Sequence, residues 1–176
     1  MKKLFLFKNK ALALFLMLLI AACSSDDGGS SPLDGVPSGE IVPVAERQKT
    51  LTGFEEGDAP RNVSTQKWWK YIKWYVKYSC DGETEEESED GEGEYFAFYP
   101  DGTLYMKDYL GGTPYFHSNW EWTDSSKSKI RLTSDGESQV YQVTELNANA
   151  AVYAAAHSED GCTFLTWEQL GQPVFD

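Results

Sequence analysis

The chain has 176 residues, with 15 Lys and Arg against 28 Asp and Glu, two His and three Cys. That length holds one domain with residues to spare. A formal charge of −13 excludes a nucleic-acid surface, which is basic, and the two distant histidines leave little for a zinc site or a histidine-based triad. At the start, Lys2, Lys3, Lys8 and Lys10 lead into an unbroken apolar run of 12 residues, Ala11 to Ala22. A bilayer-spanning helix needs ~20 residues, so the run has the shape of a secretory signal peptide.

The run ends Leu19-Ile20-Ala21-Ala22-Cys23. This resembles the bacterial lipobox. The resemblance implies that residues 1–22 are a leader that is cut off, and that Cys23 is acylated as the first residue of the mature chain. The partner implied there is a membrane, held through the N-terminal lipid. Without the leader the chain carries 11 basic and 28 acidic residues, a net of −17. Ser24-Ser25-Asp26-Asp27 resembles the surface-export signal of Bacteroidota lipoproteins. The expected location is therefore the outer membrane, with the cell surface and the periplasm-facing leaflet both left open.

Residues 23–60 are rich in Ser, Gly, Pro, Asp and Glu, and their few apolar residues keep no period. Such a composition buries too little to offset the entropy of ordering, so a flexible tether is expected. Within it, Glu46 to Phe54 has the makings of a short helix or a plug against the domain.

The domain itself is expected over residues 61–176. Twenty aromatics lie between Trp68 and Trp167, in short apolar runs broken by Gly-containing turns. That is an all-β pattern. Eight strands are predicted: Lys67–Ser79, Glu94–Tyr99, Thr103–Tyr109, Phe116–Thr123, Lys129–Thr133, Ser138–Thr144, Ala151–Ala156 and Cys162–Trp167. Tyr99-Pro100-Asp101-Gly102, Asp135-Gly136 and Asp160-Gly161 mark hairpin turns. In the first strand Trp68, Ile72, Trp74, Val76 and Tyr78 alternate as the inward set. Trp69, Tyr71, Lys73, Tyr75 and Lys77 then face out, and Lys70 breaks the inward pattern.

The succession Phe98-Tyr99-Pro100-Asp101-Gly102-Thr103, Trp120-Glu121-Trp122, Lys129-Ile130-Arg131-Leu132 and Tyr141-Gln142-Val143-Thr144-Glu145-Leu146 resembles the lipocalin-like domains of Bacteroidota lipoproteins. The resemblance covers about residues 67–167. It lacks the Gly-x-Trp of classical lipocalins, Gln66-Lys67-Trp68 standing there instead. It implies an eight-stranded antiparallel up-and-down β-barrel, filled by side chains or holding one small ligand. In such a barrel the first and last strands are neighbours, so Cys80 and Cys162 meet at one rim. In an exported chain they would bond and staple the closure.

Asp81 to Glu94 holds nine acids in 14 residues. It falls at that same rim, with Asp108, Asp135, Glu137, Glu159 and Asp160, while Lys127 and Lys129 fall at the other. A mobile solvated loop is the plain reading. Capture of a cationic partner, or loose calcium binding off the EF-hand register, are the functional ones. No nucleophile motif accompanies His117 or His157, so neither an enzyme nor a metal or other cofactor is expected. The leading expectation is a small-molecule binder lined by Trp74, Tyr78, Phe98, Trp120 and Trp122. The alternative is a surface glycan- or protein-binding accessory that uses Trp69, Tyr71 and Tyr75.

Overall fold

A computed structural model describes residues 31–57 and 66–176. The leader, Cys23 and Asp26-Asp27 lie outside the described residues. Residues 31–176 form one compact unit. The described residues hold one helix, α1 (Val44–Thr52), and nine strands: β1 (Lys67–Cys80), β2 (Glu83–Asp90), β3 (Tyr95–Phe98), β4 (Thr103–Lys107), β5 (Tyr115–Trp122), β6 (Lys129–Ser134), β7 (Glu137–Leu146), β8 (Ala150–Glu159) and β9 (Cys162–Phe175).

Each strand pairs antiparallel with the next in the chain from β3 onward, and β9 returns to pair with β1. The sheet closes. β2 and β3 share one edge of β1, β2 along Lys73–Cys80 and β3 at Trp69 and Lys70. They make one interrupted stave, so the barrel has eight. Three of its hairpins turn on Asp-Gly pairs with both residues at positive φ, as at Asp135 (53°) and Gly136 (84°). That turn matches the twist of the flanking strands. Cys80 and Cys162 sit at disulfide distance across the closing pair, their Cα atoms 4.2 Å apart.

The acidic stretch is a strand rather than a loop. With no apolar residue it has no period to read. It forms because the Asp81-Gly82 turn folds it back on β1, where Lys73 pairs with Asp90 and Lys77 with Glu86.

The facing of β1 also departs from simple alternation. Against β9, Tyr71 lies opposite Leu170 but Trp74 lies opposite Glu168, so β1 carries one extra residue between them. This β-bulge flips the phase. Above it Trp74, Val76 and Tyr78 point inward as expected. Below it the inward residues are Trp69 and Tyr71, both packed in the barrel core, not Trp68 and Ile72. Trp68 instead joins an outer cluster with Ala97 and Tyr99, with the Lys107 ammonium 4.0 Å over its ring. Ile72 lies beside Gly171, and Lys70 is in register with that same glycine on the outer phase. Gly91 fits this junction because a β-carbon there would overlap the Tyr71 carbonyl.

Part of the stretch read as a tether is structured. α1 closes the barrel end where β1 begins. Trp69 donates its indole N–H to the Leu51 carbonyl (2.8 Å), Trp122 donates to Gln48 Oε1 (2.7 Å) and Gln66 donates to the Thr52 carbonyl (3.0 Å). Arg47 ties the helix to the β5–β6 connection through the Ser126 carbonyl. Gly53, left-handed at φ 87°, ends it by donating to the Lys49 carbonyl. Ile41 bridges Leu146 at the same end. Among the described residues, no helix is long and apolar enough to cross a membrane.

Candidate functional site in the barrel interior

Side chains fill the plugged half of the barrel. Phe98 meets Trp120 edge-on at 5.4 Å and Tyr153 at 6.4 Å. Trp120 also donates its indole N–H to the Tyr99 carbonyl, and Trp122 is spent on the helix. These expected lining residues are core. Burying each such ring is worth ~2–3 kcal/mol, and they form the floor of what lies above.

The layer above the floor is polar and aromatic. Tyr153 and Glu168 are direct cross-strand partners on the inward phase of β8 and β9, and the tyrosine hydroxyl donates to Glu168 Oε2 at 2.6 Å. Tyr141 meets Tyr153 edge-on at 5.4 Å. Tyr71 lies against Phe96 at 5.3 Å, and Phe96 against His117 at 5.3 Å. Glu168 and His117 keep part of their surface accessible although protein atoms crowd both, as on a concave wall. Burial raises the Glu168 carboxyl above the usual range, and the Tyr153 hydrogen bond works against that rise. The hydroxyls of Tyr71, Tyr141 and Tyr153 are all raised, by burial first and then by the Glu168 charge. Burial lowers His117.

Small residues follow toward the mouth. Val76, Ala155 and Thr166 are aligned across β1, β9 and β8. His157, Phe164 and Tyr78 make the next row, and Tyr78 is 44% exposed. The interior is therefore closed below by α1, and toward the Cys80–Cys162 rim the inward Tyr78 reaches solvent. The acidic turns at Asp81, Asp135 and Asp160 lie at that rim too.

The expected aromatic strip on the outer wall is reduced. Trp69 is wholly buried inside and Tyr71 faces the interior, both because of the bulge. Tyr75 alone faces out, stacked at 5.3 Å on Trp167, which is itself buried. Trp74 and Tyr78 stay on the inward phase above the floor. Glu168, Tyr141 and Tyr153 complete the site. Glu168 was legible in principle, because Phe164, Thr166, Glu168 and Leu170 alternate and place a carboxylate on the inward phase.

Among the described residues, no group of three or more His, Cys, Asp and Glu is arranged to hold a metal ion. An open groove of about 710 Å³ runs beside α1 at the plugged end, lined by Val42, Lys49, Lys67 and Phe175 among others. Its polar lining residues, Glu46, Lys49, Lys67, Asn149 and Gln172, surround an open groove, whereas the interior gathers tyrosines about a crowded carboxylate and makes the better candidate. Comparison with protein-family models, curated proteins and solved structures finds no match to this chain.

Proposed function

We propose that this chain is a lipid-anchored, lipocalin-like binding protein of the cell envelope, without enzymatic activity, that takes one small ligand into the open half of its barrel. The observation that carries the reading is the inward layer of Tyr71, Tyr141, Tyr153 and Glu168 on an aromatic floor, closed below by α1. A carboxylate crowded by protein atoms on an inward face is a cost that an apolar residue would avoid. Its presence with one tyrosine partner fits a group kept for recognition. The anchor and the envelope location rest on the Leu19-Ile20-Ala21-Ala22-Cys23 sequence. A surface glycan- or protein-binding role is less well supported, since Tyr75 alone of its three residues faces outward.

The test is amide chemical-shift mapping with fractionated small-molecule extract of the source cells. Perturbations at Tyr141, Tyr153 and Glu168 are expected. Perturbations confined to Tyr75 and Trp167 would overturn interior binding and favour the surface.

A further inference from the structure

Resting on the interior-binding reading, we infer that the ligand is an organic cation, an amine or quaternary ammonium whose charged head sits among Tyr71, Tyr141, Tyr153 and Glu168. Three features of the chain carry this.

The first is the chemistry of the layer. Tyrosine faces attract a cation through the ring quadrupole, and desolvation strengthens the attraction. Glu168 supplies the opposite charge. Only its Oε2 receives a hydrogen bond, and no ion pair holds it among the described residues. A cationic head would supply the missing partner.

The second is the pattern of charge on β2. Register puts Glu83, Glu85, Glu87 and Glu89 opposite Cys80, Tyr78, Val76 and Trp74, and so on the inward phase. Glu86 and Asp90, on the other phase, are matched by Lys77 and Lys73. The four inward glutamates have no such match among the described residues. Like charges alternating along one strand face repel, so this row costs stability. It leads along β1 toward Trp74, which lies between Glu89 on one side and Glu168 on the other. Clustered charge of one sign along a cleft raises the local concentration of the opposite ion and its on-rate.

The third is Ser118. It is 2% exposed, shares the inward phase of Trp120, and its hydroxyl has no hydrogen-bond partner among the described residues. It is a second buried polar group facing the same interior, suited to a polar substituent on the ligand.

The test compares three probes of one shape by calorimetry on the mature chain: choline, its neutral isostere 3,3-dimethyl-1-butanol, and the anionic 3,3-dimethylbutyrate. Choline is expected to bind at least tenfold more tightly than the other two. Glu168→Gln should remove that preference, so that the affinities of the three probes converge. Glu87→Gln with Glu89→Gln should slow association and flatten its salt dependence. A thermal melt of each variant checks that it is folded. Equal binding of all three probes would overturn the cation assignment and leave interior binding standing. Binding by none of them would also overturn it. Choline-induced shifts confined to the outer wall would overturn both readings.

Discussion

Tyr153 and Glu168 face each other directly across β8 and β9, and the hydroxyl of the one donates to the carboxylate of the other at 2.6 Å. That pair sets a pH dependence. The folded protein holds the Glu168 proton more tightly than the unfolded chain does, because burial opposes the charge. The native state thus binds more protons in the window above the ordinary value of 4.5, and stability falls as pH rises through it. Glu168→Gln removes the titration. Its melting temperature relative to the natural chain should be higher at neutral pH, and the advantage should shrink toward pH 4. Thermal melts of both chains across that range check the sign; a gap that does not change with pH would contradict it.

The bulge in β1 separates two of its aromatic residues, Trp69 and Tyr75, in cost. Trp69→Ala empties the barrel core and removes the bond to the Leu51 carbonyl, so a loss of about 3–5 kcal/mol is expected. Tyr75→Ala removes an outer stack on Trp167, worth about 1 kcal/mol. Urea denaturation of the two variants measures both. Similar losses would mean that the two residues share an environment.

Gly91→Ala probes the bulge from the other strand. The added methyl meets the Tyr71 carbonyl, which is backbone and cannot swing aside. The Gly91 N–H bond to the Ile72 carbonyl, 3.0 Å, must then stretch or break. A loss of about 2 kcal/mol is expected, with faster amide exchange at Tyr71, which bonds to the Glu94 carbonyl across the same junction.

The strand plan was legible because its punctuation is local. Asp135-Gly136 and Asp160-Gly161 take the φ values that two-residue hairpins need, and Cys80 and Cys162 meet as an even number of staves requires. The bulge was hidden because neither Ile72 nor Lys73 marks one. The single sign was Lys70, a charge in an otherwise apolar phase, which in the structure stands on the outer wall. β2 was hidden for another reason: its pairing comes from a turn and a neighbour, and eight polar residues give no apolar alternation. The predicted last strand stops at Trp167, whereas β9 runs on to Phe175 through Glu168. Glu168 is the centre of the site. The α1 plug left its trace in the weak apolar pattern of Glu46 to Phe54.

The Cys80–Cys162 pair spans 82 residues. Closing such a loop restricts the unfolded chain by about 4 kcal/mol in the entropy model. Reductant, or Cys80→Ser with Cys162→Ser, should lower the melting temperature while leaving the far-ultraviolet spectrum of the folded state unchanged. Opening of the β1–β9 seam should show as faster exchange near Ser79 and Thr163, which pair beside the bridge.

Cation binding in the interior requires that a ligand reach the Glu168 carboxylate from the rim, among Tyr71, Tyr141 and Tyr153. Carbon-13 titration of the Glu168 side-chain carboxyl tests this most directly, run with and without a trimethylammonium probe. A midpoint above 4.5 is expected in the free protein, falling when the probe binds because a cation favours the ionised form. An ordinary midpoint that neither cationic nor neutral probes move would contradict cation binding there.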